Sequence, residues 1–88
     1  MTFSVALLPS AKKQLDKLDK KPKEAISKWI DENLASCDNP RRRGKPLSGN
    51  LKGLWSYREG SFRVIVDIKD EELLVLVIKV CHRSRSYD

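Results

Sequence analysis

From Phe62 to Ile68 the chain alternates strictly: Phe62, Val64, Val66 and Ile68 fall on one face of a strand, and Arg63, Ile65 and Asp67 on the other. With Leu54-Trp55-Ser56-Tyr57-Arg58 before it and a tight Glu59-Gly60-Ser61 turn between, this predicts a β-hairpin over 54–68. Thr2 to Leu8 alternates and then runs apolar, predicting a strand with at least one buried face. Pro9-Ser10 ends it, with Ser10 as the expected N-cap of a helix that turns Ala11, Leu15 and Leu18 inward. Asp19-Lys20-Lys21-Pro22 is a short connection, and Pro22 suits the first turn of a second helix. That helix carries Ile26, Trp29 or Ile30, Leu34 and Cys37 along one stripe.

Asp38 to Gly53 reads as a long irregular loop, pinned by Leu47 and Leu51 and longer than most connections in a small domain, which points to a function. After the hairpin, Lys69-Asp70-Glu71-Glu72 forms an acidic turn. Leu73 to Val80 then runs apolar at both parities, as a central strand covered on both faces does. If helices cover one face, the loop, the tail or a partner must cover the other. The expected fold is α+β and a single domain over 1–88. An N-terminal strand leads into a two-helix antiparallel hairpin and a three-stranded antiparallel meander, all in one twisted four-stranded sheet with the first strand at an edge or beside the last.

Charge changes this picture by its placement. The 88 residues carry 18 Lys and Arg against 12 Asp and Glu, a net +6. Residues 40–63 hold seven basic side chains and one acidic, so the whole excess is matched in the loop and hairpin. The helices alternate signs, as a solvated surface does. Such a balance favours an acidic partner, nucleic acid above all. Cys37 and Cys81 form no metal-type pair, and no signal peptide or membrane-length apolar stretch is present, so two reduced thiols in a cytoplasmic protein are expected. A nucleotide-cradling glycine loop, a zinc motif and a serine-nucleophile context are all missing, and neither metal nor cofactor is expected.

Arg63 is the most informative residue, because an arginine in so apolar a strand must be paired or face a site. The structural alternative is an ion pair with Asp67 or another acid. The order of the motifs carries a resemblance over essentially the whole chain. The helical hairpin precedes Lys45-Pro46-Leu47-Ser48-Gly49, then Trp55-x-Tyr57-Arg58-x-Gly60-x-Phe62-Arg63-Val64-Ile65. An acidic turn, an aliphatic strand and His82-Arg83-x-x-x-Tyr87 follow. This resembles the RelE/ParE superfamily of toxin–antitoxin toxins, with the RelE branch favoured.

The resemblance implies a metal-free endoribonuclease that enters the ribosomal A site and cleaves the mRNA there. It implies a RelB-like antitoxin as partner in a hetero-oligomer, and no membrane. Residue by residue, it maps the phosphate-contacting arginine to Arg63, a second arginine to Arg83 and a near-terminal tyrosine to Tyr87. The lysines that one RelE pattern places before the hairpin turn are replaced here by Leu54-Trp55-Ser56, so the general base is open among Lys52, Arg58 and His82. His82, the only histidine, is a catalytic candidate because imidazole is the side chain that acid–base work prefers, and a lone histidine at a strand end is equally often structural. Arg41, Arg42, Arg43, Lys45, Lys52, Arg58 and Arg85 are candidate contacts to RNA, ribosome or antitoxin. The alternatives are a ParE-like inhibitor that binds DNA gyrase and cleaves nothing, and a basic RNA-binding module without activity.

Overall fold

The computed structural model describes residues 2–82. A strand, β1 (Ser4–Leu7), leads into two helices, α1 (Pro9–Asp16) and α2 (Lys20–Asn33). Four strands follow: β2 (Lys45–Pro46), β3 (Trp55–Glu59), β4 (Phe62–Lys69) and β5 (Leu74–His82). They form one sheet in the order β1-β5-β4-β3-β2, with β1 parallel to β5 and every other pairing antiparallel. The expected α+β arrangement holds, with β1 beside the last strand. The sheet gains a fifth strand, because the long loop returns and pairs Lys45 with Ser56 and Pro46 with Trp55.

Two local expectations change. Helix α1 begins two residues early: Pro9 occupies its first turn and Lys12 N–H bonds to the Leu8 carbonyl at 2.9 Å, so Ser10 lies inside the helix and Leu8 is the cap. Proline's fixed φ and missing N–H cost nothing at that position. Helix α2 stops at Asn33, and Cys37 lies beyond it. There Ser36 takes φ +61°, and the backbones of Ser36 and Cys37 bond to that of Phe3 at 2.9 and 2.8 Å.

Both helices pack on one face of the sheet. Ala11, Leu15, Ile26, Ile30 and Leu34 meet Tyr57, Val64, Val66, Ile68, Val75, Val77 and Val80 in one buried cluster. Trp29 is half-buried against that cluster, its ring 5.2 Å from that of Tyr57. The hairpin turn contains Gly60 and Ser61, between the paired Glu59 and Phe62, and Gly60 takes φ +60°. A two-residue turn that follows the strand twist needs such an angle at its first central position.

Strand β5 contains a bulge. Ile65 pairs with Lys79, but Val66 pairs with Val77, so Ile78 is an extra residue. Above and below it, Val80 and Val77 both reach the helix-side core, which an unbroken alternation would forbid. Beyond the end of β1 the outer edge of β5 is open, and the Gln14 side chain of α1 accepts the Val80 N–H at 2.8 Å. No helix among the described residues is long and apolar enough to cross a membrane.

Candidate functional site

The face of the sheet away from the helices carries the site. Cross-strand partners share a face, so the register lines up Lys45, Ser56, Ile65 and Lys79 in one row across β2 to β5. The next row is Arg58, Arg63 and Cys81. A cleft of about 330 Å³ opens here, lined by Arg43, Lys45, Pro46, Leu47, Ser56, Arg58 and Arg63. Its polar lining is thus four cations and one serine, with no acid among the described residues. Ile65 is 2% exposed although it stands outside the helix-side core, so it is sealed from this side.

The structural alternative of an Arg63–Asp67 ion pair does not form, and Asp67 instead meets Lys69 at 3.3 Å. Arg63 is half-buried with its Nε enclosed, and it lines the cleft. Opposite it in register, Cys81 is half-buried; burial pushes its thiol up, and the cations of Lys79 and Arg63 partly oppose that rise.

The basic run divides its labour. Arg41 grips Asp70 through two hydrogen bonds of 2.8 and 2.7 Å and lies over the Trp55 ring, 5.7 Å from its centroid. That fork raises the Arg41 pKa and holds the Asp70 carboxyl below the usual carboxylate range. Arg41 therefore anchors the loop on the helix side, with its fork taken up by Asp70. Arg42 meets Asp38 at 3.7 Å on an exposed surface. Only Arg43 and, two residues on, Lys45 turn into the cleft.

What holds that lip in place is Tyr57, 1% exposed, whose hydroxyl donates to the Pro40 carbonyl. Burial pushes its pKa up to about 12. A Cβ on Gly44 would stand 2.8 Å from the Tyr57 ring, so the loop passes where only glycine fits. The role of Pro40 and Gly44 is invisible in composition; their sequence signal is only that they bracket the Arg41–Arg43 run.

The other expected site residues are placed as follows. His82 pairs with Phe62 and stacks edge-on to its ring at 5.4 Å, so it stands on the face opposite Arg63 and away from the cleft. Lys52 lies just after the 3₁₀ turn Gly49–Leu51 and does not line the cleft. Arg58 does line it. Arg83, Arg85 and Tyr87 lie outside the described residues. Lys79 gained its place through the bulge: without the extra residue its parity would put it under the helices.

These features define a small α+β protein with a cationic cleft on the open face of a mixed sheet. The family described as ParE toxin of type II toxin-antitoxin system, parDE, matches residues 5–87. Toxin RelE of Mycobacterium tuberculosis is 36% identical over 97% of the chain and 86% of its own length. Toxin RelG of the same organism is 32% identical over 99% of the chain and 98% of its own length. Among solved structures, the toxin–antitoxin complex RelBE2 of M. tuberculosis superposes with a TM-score of 0.85 at 31% identity, over 96% of the chain and 94% of its counterpart. The isolated Escherichia coli RelE toxin, at 22% identity, shares the fold with a TM-score of 0.75 over 98% of the chain and 89% of its own. The chain belongs to the RelE/ParE family of toxins of type II toxin–antitoxin systems, and it is a homologue of the RelE toxins.

Proposed function

We propose that this toxin is a ribosome-dependent endoribonuclease that cleaves mRNA in the A site without a metal, and so stops translation. The observation that carries this reading is the cationic cleft around Arg63, which holds no acid among the described residues. Cleavage by a neighbouring 2′-hydroxyl passes through a phosphorane-like state whose added negative charge must be stabilised. Arg63, Arg58 and Arg43 supply guanidiniums, which stay charged and match phosphate oxygens two at a time. Arg83 and Tyr87 are proposed to complete the site from the C-terminus, through a phosphate contact and a base-stacking or hydrogen-bonding contact. His82 is left out, because its face is the wrong one.

A RelB-like antitoxin is the proposed partner, as the solved RelBE complexes have for their toxins. Its acidic groups would meet the cleft, and its apolar residues would cover Leu74 and Leu76, which alternate with the buried Val75 and Val77 and so face away from the helices. The ParE description of the matching family supports a second reading, inhibition of DNA gyrase by binding alone.

Cell-free translation with purified toxin separates the two. Mapping of mRNA 5′ ends should show cuts only on translated message, lost in Arg63→Ala and Arg83→Ala, with a rate loss of about 10²–10³-fold for Arg63→Ala. Intact mRNA at a dose that arrests growth would discard the nuclease, and a supercoiling assay would then test the gyrase reading.

A further inference from the structure

We propose that Lys45 is the proton acceptor of the cleavage reaction, a role that rests on the nuclease reading above. Metal-free attack by a 2′-hydroxyl requires a group that takes its proton as the O–P bond forms. Among the side chains lining the cleft, three are arginines, which do not give up a proton in proteins, and one is a serine. Lys45 is the remaining titratable group there among the described residues. His82 stands on the other face, and Lys52 is outside the lining.

The geometry suits the task. Lys45 occupies the edge strand β2, opposite Ser56, while Arg63 lies two strands away and one row further along. At about 4.8 Å between strands and about 3.4 Å per residue, their Cα atoms are separated by roughly 12 Å. Two long side chains converging from the ends of that span can hold one phosphodiester between them, with the guanidinium on the phosphate oxygens and the amine at the 2′-oxygen. The two-residue strand fixes where Lys45 starts. The Leu47 N–H bond to the Leu54 carbonyl at 2.9 Å and the close approach of Gly44 to Tyr57 hold the strand from both ends.

The step balances without a further reactant. The neutral Lys45 amine takes the 2′-hydroxyl proton, the 2′-oxygen bonds to phosphorus, and the P–O5′ bond breaks. The departing 5′-oxygen takes a proton from water, and the lysine ammonium returns its proton to solvent. The products are a 2′,3′-cyclic phosphate and a 5′-hydroxyl end.

The test is single-turnover cleavage of mRNA on programmed ribosomes by the wild-type toxin, Lys45→Ala, Lys45→Arg and Lys79→Ala, over pH 6 to 9. Ribosome binding of each is measured separately. Lys45→Arg keeps the charge but cannot accept the proton. The inference expects Lys45→Arg and Lys45→Ala to lose about 10²–10⁴-fold in rate while Lys45→Arg binds ribosomes as the wild type does. The wild-type rate should rise with pH, and this rise should vanish in Lys45→Arg. Near-wild-type cleavage by Lys45→Arg, or an unchanged pH profile, overturns the role of Lys45 and leaves the nuclease standing. A loss in Lys79→Ala alone assigns the proton transfer to the other end of the row and also overturns it. Absence of cleavage by the wild type overturns both readings together.

Discussion

Replacing Gly44 by alanine adds one methyl group at the tightest point of the loop that carries the cleft. The new Cβ stands 2.8 Å from one ring carbon of Tyr57 and 3.2 Å from two others, well inside contact distance. The ring cannot retreat: it is 1% exposed, packed on Trp29 at 5.2 Å, and held through its hydroxyl by Pro40. Overpacking of this kind costs about 1–3 kcal/mol. For a domain of this size each kcal/mol lowers Tm by about 4–8 °C. Thermal and urea unfolding, followed by near-ultraviolet circular dichroism of Trp29 and Trp55, should show a fall in Tm of at least about 4 °C. The loop gives way in place of the ring, so Arg43 and Lys45 shift with it. A misplacement of about 1 Å can cost on the order of 10²-fold in rate, and cleavage should fall in protein that is still folded. In Tyr57→Leu the same alanine should cost less, with a coupling energy of at least about 0.5 kcal/mol. A Gly44→Ala protein with wild-type Tm, or one whose cost is the same in the Tyr57→Leu background, refutes the steric argument.

Three further outcomes are expected. Because burial lifts the Tyr57 pKa from its model-compound value of 10.0 to about 12, the folded state holds that proton more tightly than the unfolded chain. Its contribution is complete below pH 10 and is lost as pH rises to about 12, by on the order of 2–3 kcal/mol; urea titrations of the wild type and Tyr57→Phe should diverge in that window, with Tyr57→Phe the flatter. Gln14→Leu removes the acceptor of the Val80 N–H and should cost about 1–3 kcal/mol with faster hydrogen exchange at Val80, whereas Gln14→Glu should keep the bond. Since Arg63 lowers the Cys81 thiol pKa against the effect of burial, Arg63→Ala should slow alkylation of Cys81 at pH 8 and leave Cys37 unchanged; equal slowing of both thiols would place Arg63 elsewhere.

The elements whose signal is local were legible from residue order alone. Alternation in Phe62–Ile68, the Gly60 turn, the helical spacing of Ala11 and Leu15, and the spacing of Ile26, Ile30 and Leu34 each follow from the period of one segment. So did the placement of Arg63 on the strand face opposite Val64 and Val66. The family was legible too, because its motifs are ordered along the chain.

What the sequence determined by itself is therefore one α+β toxin fold, its basic middle and the face on which Arg63 stands. Tertiary structure decided which other side chains join Arg63. The bulge at Ile78 shifts the parity of β5, which carries Lys79 to the cleft face and leaves His82 against Phe62. A bulge leaves no periodic mark in a run that is apolar at every position, so no counting along Leu73–Val80 could reveal it. Likewise, three adjacent arginines are alike in sequence, and only the fold of the loop around Tyr57 separates Arg41, tied to Asp70, from Arg43 in the cleft. These are contacts between residues distant along the chain, and their free energy depends on where the backbone brings them together.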